Sequence, residues 1–73
     1  MIKQITDAYV RHYSDSGQVT AYVEWLDRRG QPGRTEGKAE RIGDTHYYVG
    51  QHMGALLSRA ERELGHMPRV EVW

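Results

Sequence analysis

The chain has 73 residues, a length that suits one small domain over residues 1–73 with a core only just large enough to offset chain entropy. It contains no cysteine, which excludes a disulfide framework, a thiolate metal site and a cysteine nucleophile. Ten basic and ten acidic residues give zero net charge, so no overall field attracts nucleic acid or an anionic membrane. There is no apolar run of signal-peptide or membrane-spanning length. We therefore expect a cytoplasmic protein with no membrane partner.

Two segments near the amino terminus, Gln4–Ser14 and Gln18–Asp27, are rich in β-branched and aromatic residues and predict a β-hairpin. A two-residue turn centred on Ser16 and Gly17 would pair Ser14 with Val19. Alternation along the two strands then predicts two distinct faces. One face carries Ala8, Val10, Ala21, Val23 and Trp25, with His12 at its rim, and the other carries Tyr9, Arg11, Tyr13, Thr20, Tyr22 and Glu24.

A polar loop with two glycines and a proline, residues 28–33, separates the hairpin from a weaker third strand at Arg34–Arg41. The third strand alternates small and charged residues, a pattern that also suits a solvated charged segment. As a strand, its small side chains would let a helix approach, and its charges would suit a sheet edge.

The segment Asp44–Gly65 predicts an amphipathic helix. Its apolar residues recur at spacings that form one stripe: Val49, Met53, Leu56, Leu57, Ala60 and Leu64. Asp44 or Thr45 is the expected N-cap, and Gly65 followed by Pro68 ends the helix.

A final short strand, Arg69–Trp73, completes the order strand, strand, strand, helix, strand. A right-handed crossover through the helix places this strand beside the first one, parallel to it. The predicted fold is α+β, with two layers: a four-stranded, mostly antiparallel sheet of order 3-2-1-4, and one helix packed on one face.

This order of elements resembles the opening half of the ribonuclease H fold. That family places metal-binding carboxylates on its first strand, early in the helix and at the end of the fourth strand. Here Asp7 lies on the first strand, whereas the inward positions early in the predicted helix are Val49 and Met53. The resemblance therefore implies a topology and carries no nuclease activity, because such an enzyme needs several carboxylates around its metal.

The residue types that could support catalysis are not suitably spaced. Of the four histidines, His12, His46, His52 and His66, the two in the predicted helix are six residues apart, whereas ligand pairs on a helix are three or four apart. No phosphate loop, nucleophile elbow or zinc spacing occurs. We expect a protein that is not an enzyme and that has neither a cofactor nor a metal.

The sheet face opposite the helix gives the strongest functional hypothesis, because tyrosine and arginine are enriched in binding hot spots. We expect this face, or the edge of the last strand, to bind a protein partner or a second copy of the chain. A small bacterial or phage accessory or inhibitor protein would fit this description. The alternatives are an ordinary solvated face, and single-stranded nucleic-acid binding with tyrosines stacking on bases and arginines holding phosphates. The predicted site residues are Tyr9, Arg11, Tyr13, Tyr22, Arg28, Arg29 and Arg34.

Overall fold

The computed structural model describes residues 2–42 and 46–73. Five strands form one sheet in the order β4-β3-β2-β1-β5, and one helix packs mainly on β1 and β2. The elements are β1 (Ile2–His12), β2 (Val19–Asp27), β3 (Pro32–Ile42), β4 (His46–Val49), α1 (Gln51–Leu64) and β5 (Arg69–Val72). The four predicted strands are present in the predicted order, with β5 parallel to β1, so the α+β fold is confirmed. The strand β4 is an addition at one edge.

The hairpin of β1 and β2 has the predicted faces but not the predicted register. Val10 pairs with Ala21, whereas the sequence predicted Val23 as its partner, a shift of two residues. The loop is longer than a two-residue turn, because the N–H of Tyr13 bonds the carbonyl of Gln18 across residues 14–17. Gly17 has the expected positive φ of 73°. A shift of two residues leaves every side chain on its original face, so the division of the hairpin into two faces is confirmed.

A bulge in β1 extends the buried face toward the amino terminus. The register shifts between Ile5 and Asp7, so Ile5 joins Ala8 and Val10 in the core although it lies three residues before Ala8. The carboxylate of Glu63 accepts a hydrogen bond from the Ile5 N–H at 3.1 Å. The last turn of α1 is therefore attached to the bulged part of β1.

The strand β3 is longer than predicted, and its small residues have the expected role. The Gly37 Cα lies under Met53 of the helix: a Cβ added there would sit 3.5 Å from the Met53 side chain. The ring of Trp25 lies directly over Gly33 in the same way. The indole N–H of Trp25 donates to the Thr35 hydroxyl at 2.9 Å. Small side chains on β3 thus admit larger ones from α1 and β2.

The predicted start of the helix is wrong. The helix begins at Gln51, with Gly50 at the N-cap and no side-chain capping bond, while His46–Val49 pairs antiparallel with Ala39–Ile42 of β3. The proposed caps, Asp44 and Thr45, lie outside the described residues and seven and six positions before Gln51. The predicted end is confirmed, because Gly65 adopts the left-handed conformation with φ of 79°.

The core lies between the helix and the sheet. It joins side chains from β1, β2 and α1, and Ala21, Val23 and Ala60 are completely buried. The predicted helical stripe supplies this layer, with Met53 and Ala60 buried and Leu56, Leu57 and Leu64 packed beside them. The opposite face of the sheet has no covering element among the described residues, and it positions the candidate site.

Candidate functional site

The outer face of the sheet, the face away from α1, carries a compact aromatic pair. Tyr9 and Tyr22 are directly opposite each other on β1 and β2, and their rings stack with centroids 5.1 Å apart. Both are nonetheless buried, with exposed fractions of 2% and 5%. The expectation of a bare tyrosine face is therefore wrong for these two residues.

Arginine side chains cover the stacked rings. The Arg11 guanidinium lies 4.9 Å from the Tyr9 ring centroid, 5.1 Å from that of Tyr22 and 4.2 Å from that of Trp73. The guanidinium of Arg34 on β3 lies 4.8 Å from the ring centroid of Tyr22, and that of Arg69 on β5 lies 4.8 Å from the ring centroid of Tyr9. Cations over aromatic faces are attracted by the ring quadrupole, and long arginine stems also exclude water.

Acidic side chains fix the positions of these arginines. Glu71 on β5 accepts from the Nε of Arg11 and from the Nε of Arg69, each at 2.9 Å. Arg69 also donates to Asp7 at 2.7 Å. Asp7 is therefore engaged in an ion pair on the outer face.

The tyrosine hydroxyls are also paired. Tyr9 donates to Glu24, and the hydroxyls of Tyr13 and Tyr22 lie 2.7 Å apart. Burial and the bond to Glu24 raise the pKa of Tyr9. The hydroxyl–hydroxyl bond raises the pKa of Tyr22 and lowers that of Tyr13. Within the described chain no buried side-chain nitrogen or oxygen lacks a partner. The polar groups of the outer face are thus largely satisfied within the molecule.

The structure brings together five of the seven predicted site residues and separates two. Tyr9, Arg11, Tyr13, Tyr22 and Arg34 share the outer face. Arg28 and Arg29 lie in the exposed turn after β2, where Asp27 accepts the N–H of Arg29 at 2.8 Å. Arg28 lies six positions after Tyr22, which is about 20 Å along an extended strand. Arg28 and Arg29 therefore do not belong to the same surface.

The sequence predicted the edge of the last strand as a possible contact surface, but none of the residues of this strand was among the predicted site residues. Arg69 and Glu71 on β5 and Trp73 just after it are every second residue of this segment, and all three contact Arg11 or Tyr9 on the outer face. The alternating pattern of RVEVW contained this signal, because pairing β5 with β1 places every second residue beside Arg11.

Exposed apolar side chains also concentrate around β5. Among the residues whose side chains the structure describes, the large hydrophobic ones with high exposure are Met67 at 70%, Val70 at 52%, Val72 at 75% and Trp73 at 61%. Val70 pairs with Val10 and therefore lies on the helix side of the sheet, beyond the area that α1 covers. A strip of uncovered apolar surface thus follows one edge of the sheet.

The backbone of β5 is available at this edge. The N–H of Trp73 donates to the carbonyl of His12, and its carbonyl accepts from the N–H of Ser14, both at 2.8 Å. Because successive residues of a strand direct their N–H and C=O groups to opposite sides, those of Val70 and Val72 point away from β1. In the described part of the chain no strand pairs with this side of β5. The edge therefore combines free hydrogen-bonding groups with apolar side chains.

Other kinds of site find no support among residues 2–42 and 46–73. They contain no cluster of three or more histidine, aspartate or glutamate residues placed to hold a metal ion. Over the same residues no helix is long and apolar enough to cross a membrane. Comparison of the chain with protein-family models, with curated proteins and with solved structures gives no match.

Proposed function

We propose that this protein is a non-catalytic binding module of the cytoplasm, which recognises an extended polypeptide segment through the free edge of β5. The observation that carries this proposal is the coincidence of two features on one strand. Val70 and Val72 direct their backbone groups outward, and they lie among the most exposed large apolar side chains of the described residues. An extended segment added to such an edge gains main-chain hydrogen bonds and side-chain contacts together.

The lack of charged side chains on the helix side of β5 supports the same proposal, although the strand is short and Pro68 precedes it. Edge strands of soluble proteins are commonly protected by outward charges, prolines or covering loops, because free edges recruit other strands. The two charged residues of β5, Arg69 and Glu71, are engaged with Asp7 and Arg11 on the outer face. No charged side chain of β5 points to the face that carries the valines. The strand is therefore suited to pairing with another chain.

The outer face contributes to this function by holding β5 in place. Arg11 joins Tyr9 and Tyr22 on the hairpin to Glu71 and Trp73 at the edge. The Arg11 network gives β5, a strand of four residues, side-chain contacts to β1 in addition to its backbone ladder. In this view the predicted tyrosines and arginines support the binding edge and are not its contact surface.

The alternative of single-stranded nucleic-acid binding has less support. Stacking on a base requires an exposed aromatic face, whereas Tyr9 and Tyr22 are buried beneath arginines. A labelled oligonucleotide at low salt gives a direct check, and we expect no shift. A salt-sensitive shift that is lost in Arg34→Ala would support the alternative instead.

Selection from a random peptide library displayed on phage tests the binding edge. We expect enriched peptides rich in β-branched residues, whose affinity falls about tenfold or more in Val70→Pro, because the substitution removes an outward N–H and obstructs the edge. The matched control is Val70→Thr, which keeps the N–H and the strand propensity. Failure to enrich any peptide, or equal binding by Val70→Pro, would contradict the proposal.

A further inference from the structure

The chemistry of the β5 edge also indicates what occupies it, if the proposed function of this edge is correct. We propose that the occupant is a second copy of the chain, whose β5 pairs antiparallel with the first around a two-fold axis at Val70. The two sheets would then join into one continuous sheet. The interface would be isologous, with the same strand contributed by both copies.

Charge complementarity selects this register. With the axis at Val70, Arg69 of each copy lies opposite Glu71 of the other, giving two opposite-charge pairs on the outer face. With the axis one residue later, Glu71 would face Glu71 and Arg69 would face Trp73. Like charges directly opposite each other destabilise a strand pair, so the second register is disfavoured.

The backbone fits the same register. Val70 points both its N–H and its C=O outward, as a central hydrogen-bonded pair of an antiparallel ladder requires. On either side, the N–H of Val72 meets the carbonyl of Pro68. Pro68 itself has no N–H, and its ring lies where that N–H would point at the Val72 carbonyl, so the regular ladder between the copies ends at these flanking pairs.

The apolar side chains are also matched. Val70 faces Val70 at the centre, Val72 lies opposite Pro68, and Trp73 lies alongside Met67. These four exposed apolar residues therefore acquire apolar neighbours in one arrangement. In the register centred on Glu71, Trp73 would lie opposite a charged residue instead.

The internal ion pairs are compatible with this contact. Arg69 uses its Nε toward Glu71 and one terminal nitrogen toward Asp7, and a guanidinium carries five N–H donors. Each oxygen of Glu71 can accept more than one hydrogen bond. The pair between copies can therefore extend the network of the outer face without breaking it.

The sharpest test uses two complementary charge variants of the full chain, Arg69→Glu and Glu71→Arg, studied by sedimentation equilibrium from micromolar to millimolar concentration. We expect the wild type to form a dimer. Each variant alone should be largely monomeric, because glutamate faces glutamate in one and arginine faces arginine in the other.

An equimolar mixture of the two variants should recover the dimer. The introduced glutamate of one copy then faces the introduced arginine of the other, and the unaltered Arg69 and Glu71 face each other across the axis. A monomeric wild type, or a mixture that stays monomeric, would overturn the inference.

Amide hydrogen exchange of the wild type keeps the inference testable if a charge variant fails to fold. Exchange at Val70 and Val72 should slow as protein concentration rises, whereas exchange at Glu71, whose N–H faces β1, should respond less.

Val70→Pro should remain folded by circular dichroism and be monomeric. Protection of Val70 that is independent of concentration would overturn self-pairing. If the wild type is monomeric but binds phage-selected peptides that lose affinity for Val70→Pro, the proposed function still stands and only self-pairing is overturned. If no peptide is selected and no dimer forms, the proposed function and self-pairing are both overturned.

Discussion

The two faces of the sheet exclude water in different ways. On the helix side, aliphatic side chains of β1, β2 and α1 pack together, and no titratable group of the described residues is completely buried among them. On the outer face, the flat rings of Tyr9 and Tyr22 are covered by the charged ends and stems of arginines. The first layer depends on a separate secondary-structure element, and the second is built entirely from side chains of the sheet.

The difference explains how a chain with a single helix can bury both sides of its hairpin. A cation on an aromatic ring remains partly hydrated and still shields the ring, so no second helix is needed. The two layers should respond differently to truncation, to loss of charge and to pH. The outer layer depends on ion pairs, whereas the helix-side layer depends on volume and shape.

The largest effect is expected from Met53→Ala on the helix side. Met53 is buried against Gly37, so truncation leaves a cavity that neither glycine nor the rigid sheet can fill. We expect the free energy of unfolding to fall by about 2–5 kcal/mol, measured by urea denaturation. Ser58→Ala, at an exposed helix position, is the control and should change little. A loss as small as that of the control would show that this layer is loosely packed.

A smaller effect is expected from Arg11→Met on the outer face. Methionine keeps an apolar side chain over the rings but removes the charge that pairs with Glu71. The melting temperature of Arg11→Met should be a few degrees below that of the wild type. The melting temperature of Arg11→Lys should lie between the two, because lysine keeps the charge without the planar guanidinium. If Arg11→Met melts at the wild-type temperature, the rings are covered by apolar contact alone.

The smallest effect is a dependence of stability on acid pH. Hydrogen bonds from Arg11 hold the pKa of Glu71 below its usual range, and hydrogen bonds from Arg59 do the same for Glu63 at the end of α1. A carboxylate with a lowered folded pKa stabilises the fold above its ordinary pKa of about 4.3, and this stability is lost as pH falls through the folded value.

Chemical denaturation from neutral to acid pH measures this loss. Glu71→Gln and Glu63→Gln should each make the free energy of unfolding fall less steeply toward acid pH. Glu71→Gln should also make this free energy less sensitive to salt, because Glu71 joins two arginines. An acid limb identical to that of the wild type in both variants would rule out these carboxylates as its origin.

The general arrangement of this fold was predictable because it follows from alternation and handedness. The two sets of hairpin side chains separated correctly, and the right-handed crossover placed β5 beside β1. The register was not predictable to the same degree. A two-residue turn and a longer loop closed by Tyr13 and Gln18 preserve the same faces, so the hydrophobic pattern cannot distinguish them.

The start of the helix failed for a related reason. Val49 fits the apolar stripe of the helix, but the tyrosines at positions 47 and 48 favour a strand, and pairing with β3 prevails. The covering of Tyr9 and Tyr22 depends on arginines from three strands, two of them distant in sequence. Their convergence follows only from the full sheet order, which explains why the face was expected to be bare.

The parallel ladder between β1 and β5 has a consequence for the order of folding. Arg11 and Glu71 are 60 residues apart in the chain, whereas the β1–β2 and β2–β3 hairpins close through short loops. Because the entropy of loop closure must be lost before such a distant contact forms, docking of β5 should follow formation of the hairpins and the helix. The four-residue strand should then be the first segment to detach when the native protein opens locally, exposing the β1 backbone before the rest of the sheet unfolds.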